Sequence, residues 1–207
     1  MHSTADHPSL EPGALLAGYL RGWFPMDEEG ATGPVGFYEA DPRAVLPVGA
    51  LRVPRSVARG VRREGYDIRV DAAFDAVVAA CAEDRDGMWL TPRLARAYGR
   101  LHRAGHAHSV EAWRDGELAG GLFGVALGGL YTSESMFHRA PDAGNAALVG
   151  AALLLVEMGA VLWDIQMSSP HTRRFGAREV GAEEYRALLA EALARPPLNW
   201  SAAAARG

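Results

Sequence analysis

The sequence predicts a mixed α+β fold in which antiparallel strands dominate. Ala107–Arg114 alternates like a strand and is turned back by Asp115-Gly116 into Glu117–Gly124. Gly128-Gly129 then separates the apolar runs Leu122–Ala126 and Leu130–Thr132, so the whole stretch reads as an antiparallel meander. Ala143–Met158 is an almost entirely apolar helix, long enough to lie buried against such a sheet.

Ahead of the meander the elements are short. Residues 1–9 read as a loose tail, followed by a helix over Glu11–Arg21 with Leu15, Leu16, Tyr19 and Leu20 at helical spacing. Gly22 stops it, Trp23–Met26 forms an apolar plug, and Asp27–Gly36 is an acidic, glycine-rich turn. Ala44–Leu46 reads as a strand ended by Pro47, and Asp67–Val70 as another. Asp71 is placed to cap a helix over Ala72–Cys81. Thr91-Pro92 supplies a cap and a first-turn proline for a helix reaching about His102, which Gly105 ends. After the apolar helix comes a buried strand through Trp163-Asp164-Ile165-Gln166, then a loop over His171–Gly176. An amphipathic helix over Ala182–Ala194 and an alanine-rich tail complete the chain.

The 207 residues are 49% apolar, enough for a packed core, and the net charge of −4 announces no nucleic acid, so any RNA contact needs a local basic patch. Arg55, Arg59, Arg62 and Arg63 supply a candidate, because on a helix over Pro54–Glu64 they fall roughly on one side. That ridge is either a solvated helix face or a set of phosphate contacts. The single cysteine, Cys81, sits in an apolar helical pattern, which fits a reducing compartment and inert packing. No signal peptide and no apolar run long enough to span a bilayer is present, so a cytoplasmic protein is expected.

The chemistry concentrates on two strands. Glu134 stands in Ser133-Glu-Ser-Met-Phe137, leaving an apolar strand, and Asp164 and Gln166 share one face of the later strand. A buried carboxylate needs a partner or a purpose. Either Glu134 or Asp164 pairs with an arginine such as Arg43 or Arg93, or they act in catalysis. His102, His106 and His108 do not make a helical metal motif, since Gly105 interrupts it and only His106 and His108 share a strand face, so no metal is expected. Ser133 and Ser135 lack a nucleophile elbow, and neither glycine pair resembles a phosphate loop.

Taken together, these residues resemble the leucyl/phenylalanyl-tRNA–protein transferase family of the bacterial N-end rule pathway. The likeness runs from about Leu15 to Leu189 and rests on several short stretches in a specific order and spacing. They are Tyr19–Met26, Asp41–Leu46, Gly105–Trp113, Gly120-Gly121, Ser133–Phe137, Trp163–Gln166, His171-Thr172 and Gly176-Ala177. The resemblance implies a small N-terminal domain, 1–70, and a catalytic domain, 71–207, with an acetyltransferase-like (GNAT) fold. It also implies a reaction that moves Leu or Phe, and less readily Met, from aminoacyl-tRNA to the α-amine of proteins beginning with Arg or Lys. Aminolysis of an activated ester calls for no cofactor.

By the same likeness Asp164 orients and polarises Gln166, whose side-chain carbonyl accepts a proton from the attacking amine, unless the tRNA ribose relays that proton instead. Glu134 would hold the 3′-terminal adenosine or the aminoacyl amine. Tyr38, Trp113, Tyr131, Ser135, Met136, Phe137 and Ser169 would line the aminoacyl pocket or stack the tRNA 3′ end, and the Arg55–Arg63 ridge would meet the tRNA backbone. His138–Asn145 contains a proline, an acid and one glycine, which disfavours the coenzyme A turn of a CoA-dependent acyltransferase. A non-catalytic tRNA- or degron-binding adaptor is the other alternative. Glu39 and Arg174 depart from the family pattern and bear on acceptor choice.

Overall fold

The computed structural model describes residues 2–4, 10–27, 35–83 and 89–205. The turn expected over Asp27–Gly36 therefore lies largely outside the described residues. In chain order the elements begin with β1 (His2–Thr4), α1 (Pro12–Tyr19), β2 (Phe24–Met26), β3 (Gly36–Glu39), β4 (Arg43–Leu46), α2 (Arg55–Glu64) and β5 (Asp67–Val70). Next come α3 (Phe74–Glu83), α4 (Pro92–Arg103), β6 (Ala107–Arg114), β7 (Glu117–Leu127), β8 (Leu130–His138) and α5 (Ala143–Glu157). The last are β9 (Leu162–Asp164), α6 (Pro170–Arg174), β10 (Arg178–Val180), α7 (Ala182–Leu193) and α8 (Trp200–Ala204).

The chain is a mixed α+β protein built on a mainly antiparallel seven-stranded sheet of order β10-β4-β9-β8-β7-β6-β5. The predicted meander is its right half, β6, β7 and β8, with both glycine turns where the sequence placed them. β4 and β5, from the range expected as the small domain, are strands of this same sheet, while β1, β3 and β2 form a separate three-stranded sheet. One face of the large sheet carries α3 and α4, whose Phe74, Val77, Leu94, Tyr98 and Leu101 pack with Phe123, Val125 and Phe137. The opposite face carries α5, where Leu148, Ala151 and Leu155 meet Val110, Leu122 and Tyr131.

Three local expectations are corrected, and the alanine-rich tail gains a helix. Residues 2–4 are not a free tail, because β1 satisfies one edge of β3. Asp71 does not cap α3. It adopts φ +56, its carboxylate accepts from Ser109 N and meets the His108 ring, and Glu111 Oε1 takes Ala73 N near the start of that helix. The His171–Gly176 loop contains the short helix α6, made by a capping box between Ser169 and Thr172 with Pro170 in the first turn. The alanine-rich tail contains α8, whose Trp200 is buried and stacks on His108 at 4.6 Å between centroids.

One irregularity in the sheet shapes the site. β8 pairs with β7 along its length, but Ser133 faces Gly124 and Ser135 faces Phe123, which leaves Glu134 as an extra, unpaired residue. Such a bulge shifts the alternation of faces by one. Met136 consequently packs on the α5 side with Tyr131, and Phe137 on the α3 side. The shift needs a bare backbone opposite, since a Cβ on Gly124 would lie 1.6 Å from the Thr132 carbonyl oxygen. Gly124→Ala is therefore expected to destabilise the protein by about 1–3 kcal/mol or to move the bulge. Gly13→Ala, where a Cβ meets nothing within 4 Å, serves as the control. Equal melting temperatures for the two variants would mean that the bulge tolerates a side chain at Gly124.

Candidate active site

β8 and β9 run parallel, and their pairing covers only Leu130–Thr132 with Leu162–Asp164. Beyond Asp164 the chain stays with β4, where Ile165 N donates to Ala44 O and Gln166 O accepts from Ala44 N, each at 3.0 Å. β8 meanwhile enters its bulge. The two strands part, and the gap between them is a cavity of about 560 Å³. Leu46, Leu122, Met136, Leu148 and Ile165 give it apolar walls, and Glu134, Gln166, Asn145 and His171 are among its polar groups.

Asp164 lies behind this cavity, not in it. It is 0% exposed and grips Arg43, itself 1% exposed, through Arg43 Nε–Oδ1 at 2.9 Å and Nη2–Oδ2 at 2.6 Å. Tyr185 donates to the same carboxylate at 2.8 Å, and so does Gln166 N at 2.9 Å. Of the two readings of the carboxylates, the arginine pair is the one realised at Asp164. The partner is Arg43, while Arg93 holds Asp27 across the loop. Asp164 thus touches Gln166 through the backbone, not through the side-chain amide. That bond holds Gln166 at φ +56, a region a non-glycine residue occupies only when its surroundings impose it.

Glu134 forms no ion pair among the described residues. Thr132 Oγ1 donates to it at 2.6 Å, Tyr98 at 3.1 Å and Gln166 Nε2 at 3.2 Å, with Tyr19 bonded in turn to Tyr98 at 2.8 Å. Burial pushes its carboxyl up to about 7, helped by the negative Asp164 nearby and opposed by the Thr132 and Tyr98 hydrogen bonds. Both tyrosines are held well above the ordinary phenol range by burial and by the Glu134 charge, so they act here as neutral donors. Because the Gln166 NH₂ faces Glu134, its oxygen is left to accept from whatever enters the cavity.

The cavity brings together Glu134, Ser135, Met136, Gln166 and Ser169 from among the predicted site residues. Ser135 Oγ is buried without a hydrogen-bond partner among the described residues, and Ser169 is spent partly on capping α6. The other aromatic candidates lie elsewhere. Tyr131 is fully buried beneath the cavity, its hydroxyl donating to His108 O, and Phe137 is turned by the bulge into the α3 core. Trp113 sits on β6, donating to Glu111 with Arg69 over its ring, and Tyr38 packs against the core around α1 and α4. Arg55, Arg59, Arg62 and Arg63 are all exposed on α2, and Arg63 pairs with neighbouring Glu64. That helix passes the cavity rim, where a Cβ on Gly60 would collide with the Asp142 carboxylate.

Nothing in the sequence separately marks Tyr19 and Tyr98, which occupy ordinary core positions on α1 and α4, or Asn145 on a helix that reads as almost entirely apolar. His171 was visible only as part of a motif. The histidines do assemble a third partner: Asp71, His102 and His108 offer ligand atoms within 4.8 Å of one another. Their polar atoms are engaged in protein contacts, with His108 between Asp71 at 2.7 Å and Gly105 O at 3.2 Å, and His102 against Ala107 O at 2.8 Å.

An apolar-walled cavity that gathers a buried carboxyl, an oriented amide and a histidine is a candidate active site. Residues 45–190 match the family model described as leucyl/phenylalanyl-tRNA protein transferase. A protein of that name from Rubrobacter xylanophilus is 50% identical over 185 residues, covering 89% of this chain and 95% of the relative. Its namesakes from Nitratidesulfovibrio vulgaris strain DP4 and Anaeromyxobacter sp. strain K are each 46% identical, covering 90% and 92% of this chain and 81% and 82% of their own. The chain belongs to the leucyl/phenylalanyl-tRNA protein transferase family, and the protein is an aminoacyltransferase.

Glu134 also links the site to stability. Its carboxyl is raised in the folded protein from 4.5 to about 7, so the folded state favours the protonated form. The stability this contributes is complete below pH 4.5 and is lost as pH rises through 7. Glu134→Gln cannot ionise, so its melting temperature, measured against the wild type, is expected to climb between pH 5 and pH 8. A difference that stays flat would mean that the carboxylate is already well solvated.

Proposed function

We propose that this protein transfers leucine or phenylalanine, and methionine less well, from aminoacyl-tRNA to the α-amine of proteins beginning with Arg or Lys, marking them for degradation in the cytoplasm. The observation that carries the reading is the cavity at the parting of β8 and β9. Its volume suits an aminoacyl group and part of its ribose. Its apolar wall of Leu122, Met136, Leu148 and Ile165 suits leucyl and phenylalanyl side chains alike, because one methylene changes affinity by only about 1–3 kcal/mol. Sheet order and the parted parallel strands are consistent with an acetyltransferase-like (GNAT) catalytic core.

In this reading the ester carbonyl lies between Glu134 and Gln166. The Gln166 oxygen accepts a hydrogen bond from the attacking amine, Glu134 holds a polar group of the donor, and Ser135 supplies an unused hydroxyl. Asp164 is a positioning residue that sets the Gln166 backbone. An acceptor amine from Arg or Lys brings positive charge, and the cavity's acids, Glu134 and Asp142, complement it. A coenzyme A reading fits less well. The N-terminus of α5, where a pyrophosphate would seat, is occupied by Asp142, whose carboxylate would repel it.

The test is an intact-mass assay with Leu-tRNA or Phe-tRNA and two peptides, one starting with Arg and one with Asp. Gain of one residue on the Arg peptide, lost in Gln166→Ala, is expected. Gain on the Asp peptide alone would point to a different acceptor class, and tRNA binding without any gain would point to an adaptor.

The exposed arginines of α2 are proposed to meet the tRNA backbone. Arg59→Glu with Arg62→Glu should weaken tRNA binding and flatten its salt dependence while leaving the Leu:Phe ratio alone. An unchanged salt slope would place the tRNA on another face.

A further inference from the structure

Three cavity residues form a hydrogen-bonded chain apart from the Glu134 and Asp164 networks. Asn145 Nδ2 donates to Asp142 Oδ1 at 2.8 Å, and Asn145 Oδ1 lies 2.9 Å from His171 Nε2. All three line the cavity, His171 from α6 and the other two from the start of α5.

The chain fixes its own proton positions. An ionised carboxylate only accepts, so the Asn145 amide must turn its NH₂ toward Asp142 and its oxygen toward His171. An amide oxygen also only accepts, so His171 Nε2 must carry hydrogen. In the neutral ring the lone pair is then on Nδ1. The groups around the ring are Arg174 on its own helix, His138 at the end of β8, Asp142 beyond Asn145, and Phe175, whose ring lies 5.1 Å away. Burial first, then Arg174 and His138, lower its pKa from 6.5, which keeps the imidazole neutral at pH 7.

We propose that His171 Nδ1 is the proton acceptor for the acceptor protein's α-amine, and that Asn145 and Asp142 are positioning residues that hold its tautomer. This rests on the transferase reading above. The free amine attacks the ester carbonyl carbon, a C–N bond forms, and the nitrogen's proton passes to His171 Nδ1. The C–O bond to the ribose breaks, and the imidazolium returns that proton to the departing ribose oxygen. Amine and ester become amide and alcohol, with no proton gained or lost by the enzyme. Gln166 then needs only to accept a hydrogen bond, which suits an amide better than serving as a base.

The alternative is that the His171–Asn145 bond merely ties α6 to α5. Single-turnover transfer from Leu-tRNA to an Arg-starting peptide, using the whole chain, separates the two. His171→Ala should slow the step at saturating substrate by about 10²-fold or more. Its tRNA affinity should stay within about twofold, because no phosphate contact is lost. Added imidazole should restore the rate in proportion to its neutral fraction. Asn145→Leu should lower kcat without raising KM and shift the acidic limb of the pH profile. A His171→Ala protein that transfers at the wild-type rate overturns the proposal, and so does one that is slow but indifferent to imidazole. Wild-type protein that transfers nothing overturns the underlying transferase reading instead.

Discussion

The buried pair between Arg43 and Asp164 is the constraint on which the site's geometry depends. Two ions without solvent are costly to bury, and they persist only when every remaining hydrogen-bonding position is filled. Here five hydrogen bonds and two ring faces hold the pair. Arg43 bonds Asp164 twice, donates to Gly22 O at 2.9 Å and lies between the rings of Phe24 and Tyr185, 4.9 and 4.7 Å from their centroids. Asp164 adds Tyr185 and the Gln166 amide. One ion pair thereby clamps β4, β9, α7 and the turn before β2, and it forces the chain at Gln166 into its left-handed bend. Removing either partner would strand a charge, at a cost of about 3–5 kcal/mol.

The contrast with Glu134 follows from two residues of register. Thr132 is opposite Asp164 in the parallel ladder, and Glu134 comes two positions later, in the bulge. Asp164 meets a guanidinium. Among the described residues Glu134 hydrogen-bonds to hydroxyls and an amide, and burial raises its pKa toward neutrality. A carboxyl that can be either charged or neutral at working pH is able to bind a cationic amine or donate to an ester oxygen. Asp164, clamped by Arg43 and Tyr185, is held out of the cavity. The architecture gives the adjustable carboxyl to the cavity and keeps the fixed one as a scaffold.

Much of this was legible in the sequence because it depends on local pattern. The two glycine turns, the alternation of β6 and the uniform apolarity of α5 specify their elements with little help from the rest of the chain. Glu134, Asp164 and Gln166 stand out because polar groups on a buried strand demand an explanation. What was not legible is what depends on one extra residue. Strict alternation puts Tyr131 and Phe137 on one face, yet the bulge at Glu134 separates them. It also turns Met136, but not Phe137, toward the cavity. Bulges carry no composition signal beyond a permissive neighbour, here Gly124. Partners distant in sequence were equally hidden: nothing near Tyr98 marks it as the donor to Glu134, 36 positions on.

Charge placement reconciles an acidic chain with an anionic substrate. The net charge is −4, and the cavity itself adds Glu134 and Asp142, so the molecule as a whole repels a polyanion. Association would therefore be local, and the exposed arginines of α2 are the contact proposed for it, acting within a Debye length of about 8–10 Å at physiological salt. Gly60 matters here in a way its size alone explains. With no side chain, it lets α2 lie directly on Asp142, which brings a helix of exposed arginines to the rim of an acidic cavity. Under the proposed contact, tRNA phosphates would rest on the arginines while the aminoacyl ester, with its own α-amine, and its ribose reach inward to acids that also suit a cationic acceptor.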